Sequence, residues 1–434
     1  MSEWVESTVG GVTLYQRAGG TPTATTDSFY GGDIPFVTIE DITNGTRFLD
    51  RTEKNLSEAG LANSAAWLIK EPHILYSMYA TVGKPIINQI ACATNQAIIA
   101  LKESLEIEQS FLFYQLLFIR PNVYKYTSQT TQSNLNAGSV KKLPISYPKD
   151  KREQRKIATI LTGIDTAIEK TEALIAKYQQ IKAGLMHDLF TRGVLPNGQL
   201  RPPREQAAEL YQETVIGWIP RDWDCERLGS ILLKSAGYLQ TGPFGSQLHA
   251  DEYQNEGVPV VMPQDINDGL IGITSIARIS PARAKSLSRH SLKVGDIIIA
   301  RRGELSRAAA VREAEANWIC GTGCFLLRLG RTELNHFFFS HIYRHDLIQR
   351  QIAGMQVGTT MPSLNNNVMS RVFFPFPKIS EQNEISRRLD ATEKEICSLQ
   401  GHAEKLRAQK LGLMQDLLTG KVPAKVGADG TAHG

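Results

Sequence analysis

Gly184-Leu185-Met186-His187-Asp188-Leu189 returns near the far end of the chain as Gly412-Leu413-Met414-Gln415-Asp416-Leu417. This is the clearest part of a longer match. Residues 153–194 align with 381–422 without a gap, at an offset of 228, and fourteen of the 42 positions are identical. Self-similarity at a fixed offset is the mark of a repeated structural unit. Upstream, Thr130-Thr131-Gln132-Ser133-Asn134-Leu135-Asn136 faces Thr359-Thr360-Met361-Pro362-Ser363-Leu364-Asn365. Ile34-Pro35-Phe36-Val37 with Asp41-Ile42 faces Val258-Pro259-Val260-Val261 with Asp265-Ile266, and Trp4 faces Trp223. The chain reads as two copies of one unit, each a globular domain followed by a helix.

The helices carry a heptad seam. In the first copy it runs Ile157, Leu161, Ile164, Ile168, Thr171, Ile175, Tyr178, Lys182, Leu185 and Leu189. In the second it runs Ile385, Leu389, Thr392, Ile396, Leu399, Ala403, Leu406, Lys410, Leu413 and Leu417. Steps of four and three give a period of 3.5, which calls for a coiled coil. Neither segment contains proline. Asp150 and Ser380 are expected N-caps, with Glu153 as a capping-box partner of Asp150. A helix of ~38 residues would be ~57 Å long. A narrow apolar seam needs a partner, and within one chain the other copy supplies it. Two copies related by a two-fold make the helices antiparallel.

The expected fold class is α+β: two mixed α/β globular domains joined by two long antiparallel helices forming a coiled coil, with a pseudo-two-fold repeat. The expected boundaries are a first domain at 1–150, a helix at 151–192, a linker at 193–215, a second domain at 216–379, a helix at 380–420 and a disordered tail at 421–434. Strands are expected at 34–39, 73–79, 86–91, 97–102 and 143–147, and again at 258–262, 270–276, 295–300, 317–329 and 372–376. Segments 110–119 and 334–352 are expected helices whose aromatic residues serve the core.

The chain has 434 residues, room for two to four domains. Its 42% apolar and 21% charged residues are ordinary for a globular protein. No uncharged apolar run of ~18 residues suggests a membrane span, the polar N-terminus does not read as a signal peptide, and the five scattered cysteines suit a reducing compartment. A cytoplasmic protein is expected. The net charge is +4, but nine Lys/Arg fall between Arg278 and Arg312 against only Asp296 and Glu304, a local +7. Such clustering suggests a polyanion partner; a solvated face with a few ion pairs is the alternative.

Within that run, Lys293-Val294-Gly295-Asp296 turns into an apolar strand that hands Arg301, Arg302 and Gly303 to a loop. Loop arginines suit guanine edges or phosphates, unless they pair with Glu304, Glu313 or Glu315. The first copy offers Tyr76 to Lys84 at the matching place, with hydroxyls and Lys84 in place of paired arginines. Residues 12–148 hold 11 basic and 11 acidic groups, so geometry must do more of any DNA binding there.

The chain resembles the DNA specificity subunit of type I restriction–modification systems. The resemblance runs from Trp4 to Val422. It is carried by Ala93-Thr94-Asn95-Gln96-Ala97-Ile98, by Thr241-Gly242-Pro243-Phe244-Gly245-Ser246-Gln247-Leu248, and by Gly358-Thr359-Thr360-Met361-Pro362-Ser363-Leu364. Both helices open with Glu-Gln and close with Gly-Leu-Met-x-Asp-Leu, and Ile216-Gly217-Trp218-Ile219-Pro220 precedes the second domain. The first copy lacks the Phe-Gly-Ser-Gln-Leu element. The resemblance implies a non-catalytic subunit whose two target recognition domains each read one half of a bipartite, asymmetric DNA site. The helices would act as spacer and as docking surface for two adenine methyltransferase subunits, with restriction and translocase subunits joining that core. S-adenosylmethionine, ATP and magnesium would belong to those partners, with no cofactor in this chain. Two readers one helical turn apart, near 34–36 Å, fall within the reach of such helices. Candidate DNA contacts are Lys84, Gln247, His249, Arg283, Lys285, Arg289, Arg301, Arg302, Arg307, Thr359 and Thr360.

Three rival readings are weaker. An adenine methyltransferase should carry an Asn/Asp-Pro-Pro-aromatic motif, and the one Pro-Pro here is Pro202-Pro203 in a polar stretch. Cys320, Cys324, His336 and His341 approach a zinc-finger spacing, but the intervening Phe325–Leu329 run reads as a strand and the first copy keeps Cys92 alone; no metal is expected. A non-catalytic coiled-coil adaptor for other proteins is the remaining alternative, opposed by the basic run.

Overall fold

The computed structural model describes residues 3–126, 134–243, 247–355 and 363–424. The chain divides into two compact units, Met1–Glu172 with Gly401–Gly434, and Ala173–Gln400. The two long helices, Lys151–Thr191 and Ile379–Leu417, each contribute to both.

In the first unit a five-stranded sheet runs in the order 13–18, 98–103, 74–77, 85–88 and 48–49. The first four strands are antiparallel neighbours and the last joins in parallel. Ile98–Ala100 and Ile74–Tyr76 are fully buried, because apolar residues occupy both faces of these central strands. A second sheet places Tyr30–Val37 between Lys54–Leu56 and, in parallel, Ala93–Thr94. Trp4–Thr8 pairs with Pro144–Pro148 beside the start of the first long helix. Ile157 and Leu161 of that helix enter the main core together with Met414, Leu417 and Leu418 from the end of the second.

The second unit repeats this plan. Its main sheet runs 238–241, 324–328, 297–300 and 308–310, all antiparallel. Val258–Val261 lies between Ala277–Ile279 and, in parallel, Ile319–Cys320. Asp224–Arg227 pairs with Phe373–Phe376. Here Ile385 and Leu389 of the second long helix share the core with Leu189 and Phe190 from the end of the first.

Within each unit the long-helix segments therefore lie side by side. In the first, Asp165 meets Lys410 at 2.6 Å and Glu172 meets Arg407 at 2.6 Å. In the second, Lys182 meets Glu393 at 3.0 Å. Rising numbers on one helix meet falling numbers on the other, so the pairing is antiparallel, and all twenty seam positions are buried or half-buried.

Details differ from expectation. Asp150 does cap its helix, its carboxylate accepting the Arg152 N–H at 2.8 Å. Glu153 closes no capping box: its carboxylate accepts the N–H of Ala424 at 3.3 Å. Ser380 is not an N-cap, because the helix has already begun at Ile379. The expected strand 317–329 is broken between Cys320 and Cys324, where Gly323 takes a φ of +87°. The expected helix 334–352 is two helices, His336–Tyr343 and Asp346–Gly354, separated where the His345 side chain caps the N–H of Leu347 at 3.3 Å. The strand expected at 270–276 is only Leu270–Ile271. The expected linker, 193–215, is tied into the second unit. Arg201 is 3% exposed and ion-paired to Glu381 at 2.6 Å and to Asp222 at 2.7 Å.

Candidate nucleic-acid interface

The basic run of the second unit divides into cations spent inside the protein and cations left on its surface. Arg283 sits on the short helix Pro281–Ser286, capped by Ser280, and pairs with Glu252 at 2.5 Å. The same guanidinium donates to the Gln247 carbonyl. His249 caps the turn that carries Glu252, whose carboxylate accepts the His249 N–H at 2.7 Å. Arg307 pairs with Glu304 at 2.7 Å and reaches Asn267 Oδ1 at 2.9 Å. Arg301 turns back: its Nε donates to the Leu364 carbonyl at 3.2 Å and its guanidinium lies over Phe325. Burial, then the neighbouring Arg302, lowers the Arg301 pKa. Lys285, Arg289, Lys293 and Arg302 are exposed. Asp296 does not neutralise them, since it is buried and bound to Arg328 at 2.5 Å. Thr359 and Thr360 lie outside the described residues, as do Phe244, Gly245 and Ser246.

In the first unit Lys84 is also occupied. Its ammonium donates to the carbonyls of Thr43 and Gly45 at 2.9 and 2.7 Å, holding the C-terminal end of the helix Ile39–Asn44. Burial, with Arg120 nearby, lowers its pKa.

What the sequence did not reveal is how each globular domain is fastened to the helices. Gln154 and Gln382, at matched places in the repeat, are both fully buried. The Gln154 amide group donates to the carbonyls of Glu106 (3.0 Å) and Pro148 (2.8 Å), and its oxygen accepts the Glu108 N–H (2.8 Å). Gln382 makes the same three bonds, to Glu333 (3.1 Å), Pro377 (2.7 Å) and Asn335 (2.7 Å). The Glu-Gln that opens both helices was the visible signal. A second polar junction is repeated with changed chemistry. Tyr114 donates to Asp165 at 2.8 Å, and Asp165 meets Lys410. The matched group is His341 beside Asp390 (3.0 Å) and Glu393 (3.7 Å), and Glu393 meets Lys182 and, at 2.8 Å, Arg344.

His341, Asp390 and Glu393 place three ligand-type atoms within 4.8 Å of one another. Two cations already stand against Glu393, so this is an ion-pair network and a poor host for a metal ion. Cys320 and Cys324 are buried strand residues, and burial pushes their thiol pKa values up, away from the thiolate that zinc requires. Among the described residues no helix is long and apolar enough to cross a membrane.

A duplicated α+β domain, four exposed cations of the basic run with no ion pair among the described residues, and two long helices that serve both cores define a nucleic-acid reader with two recognition domains. The sequence matches the type I restriction modification DNA specificity domain over residues 1–180 and 220–407, so the chain belongs to that family and carries its domain twice. The type I restriction enzyme MjaVIII specificity subunit of Methanocaldococcus jannaschii is 21% identical over 432 residues, covering 98% of this chain and 94% of that one. The type I restriction–modification S subunit of M. genitalium shares the fold, with a TM-score of 0.61 at 15% identity over 96% of each chain. A chain from a structure of complex assembly and conformational transition in the type I R-M system has a TM-score of 0.53 at 17% identity, over 96% of this chain and 98% of that one. Bipartite DNA recognition without catalysis is the role this family membership assigns.

Proposed function

We infer that the chain reads the two halves of an asymmetric DNA site, one with each unit, and docks two adenine methyltransferase subunits, which restriction and translocase subunits then join. S-adenosylmethionine, ATP and magnesium are used by those partners, in the cytoplasm. The observation that carries this reading is the duplication, which reaches past the sheets to the buried Gln154 and Gln382 fastenings. Two domains held on their helices by the same bonds but differing in their surface loops suit two readings of one duplex. In the second domain the exposed Lys285, Arg289 and Arg302 supply phosphate and base-edge contacts. The length of the helices sets the number of unread base pairs. Mapping methylated adenines in a genome that expresses the chain with its methyltransferase tests this. Two short motifs at a fixed spacing are expected, and a single continuous motif overturns the reading.

A further inference from the structure

We propose that a cleft walled by Asn44, Asn55 and Asn95 is the surface with which the first unit reads DNA bases, and that its half-site is specified through adenine edges rather than guanine. This rests on the reading above and names the first domain's part in it.

The cleft, about 1070 Å³, lies between the loop after Ala18, the helix Ile39–Asn44 and the strand Lys54–Leu56. Its walls are fixed in advance. Gly19 passes so close to Thr94 that a Cβ there would fall 1.9 Å from the Thr94 carbonyl oxygen, and the Gly20 N–H donates to that oxygen at 3.0 Å. The Tyr30 hydroxyl donates to Pro22 at 2.9 Å, and the Asp41 carboxylate accepts the N–H groups of Thr38 (2.7 Å) and Glu53 (3.1 Å). Rigid walls suit a surface that must present hydrogen-bonding groups at set positions.

The carboxamides carry spare capacity. Among the described residues Asn44 has no side-chain hydrogen bond, and it is exposed. Asn95 uses only its oxygen, accepting the Ala97 N–H at 3.1 Å, and Asn55 accepts a long bond of 3.4 Å from the Thr52 hydroxyl. A carboxamide offers one donor and one acceptor side by side, the complement of adenine N7 and N6 in the major groove.

Charge decides what enters. Among the described residues the charged lining is Glu40, Glu53 and Lys54, a balance of −1. A phosphate would be repelled, whereas base edges carry no net charge. Among the described residues no arginine lines the cleft, so bidentate guanine readout lacks its usual donor. At the matching turn of the second unit, Arg307 bonds to the Ile266 carbonyl at 3.2 Å and to Asn267, so the two domains differ here in kind.

The test compares methylation maps of the wild-type chain and Asn44→Ala/Asn55→Ala/Asn95→Ala, each expressed with the methyltransferase. The triple variant is expected to lose about tenfold or more of its discrimination at adenine positions of one half-site, while the other half-site stays as in the wild type. Its DNA binding should keep the wild-type salt dependence, because no phosphate contact is removed. Asn44→Asp keeps the side chain's size but trades the donor for an acceptor, and is expected to shift preference at one position from adenine toward cytosine. Unchanged half-sites in both variants, or a reduced salt slope, overturn the cleft assignment. A wild-type map without two spaced motifs overturns the underlying function instead.

Discussion

Glu153 and Glu381 hold the same place at the opening of the two long helices and differ in what meets them. Glu381 is bound by both Arg201 nitrogens (2.6 and 3.0 Å), Trp223 Nε1 (3.2 Å) and the Val194 N–H (2.7 Å). Removing one partner of a buried ion pair leaves the other charge uncompensated. Arg201→Ala is therefore expected to destabilise the second unit by about 3–5 kcal/mol, read as a lower urea midpoint; an unchanged midpoint refutes a structural role for this pair. Arg301 and Arg302 are adjacent and alike in the sequence, and folding separates them. Arg302→Ala should cost about 1–3 kcal/mol of DNA binding with an unaltered urea midpoint, while Arg301→Ala should lower the midpoint. Equal effects of both on the midpoint would contradict this division. Which of two neighbouring arginines remains on the surface depends on Leu364 and Phe325, residues distant in the chain, so periodicity and composition could not decide it.

At the scale of elements, the heptad seam was the most legible feature, because a period of 3.5 survives in sequence whatever the seam packs against. The breaks at Gly321–Gly323 and at His345 were not legible, since each is set by a turn or a cap inside an otherwise apolar run. The helices His336–Tyr343 and Asp346–Gly354 also carry a pH dependence. Burial lowers the pKa of His336 and His341 and lowers that of His345 to about 4. A lowered value means that each ring holds its proton less readily in the folded unit than in the unfolded chain, which takes protons below pH ~6.5. Stability is thus complete above ~6.5 and is lost as pH falls toward 4, by on the order of 1–3 kcal/mol for His345. Hydrogen exchange at pH 7 and pH 5 should show faster opening of 336–354 at the lower value; equal protection would refute it. Gln154→Ala and Gln382→Ala should each cost about 1–3 kcal/mol by leaving buried carbonyls unpaired, each seen as faster exchange in its own unit alone.

At the scale of the molecule, the repeat and the family were readable from the sequence, while the assignment of helix segments to cores was not. Both long helices continue without interruption through residues 172–173 and 400–401. One heptad inserted after Glu172 and one after Gln400 would add about 10.5 Å of helix. If helix length sets the unread spacer, methylation mapping should find it longer by about three base pairs at 3.4 Å each. An unchanged spacer would show that something else measures it.

The first unit takes Met414, Leu417 and Leu418 from the end of the second long helix, and the second takes Leu189 and Phe190 from the end of the first. A polypeptide shortened to one repeat would thus emerge with a sticky half-completed hydrophobic face at the end of its single rod. Its natural remedy is a twin, each lending the other its missing turns, so a gene halved by deletion could still yield a working homodimer that recognises a palindrome. Sedimentation of residues 1–192 should find pairs; stable monomers would show that the exchange of turns is dispensable.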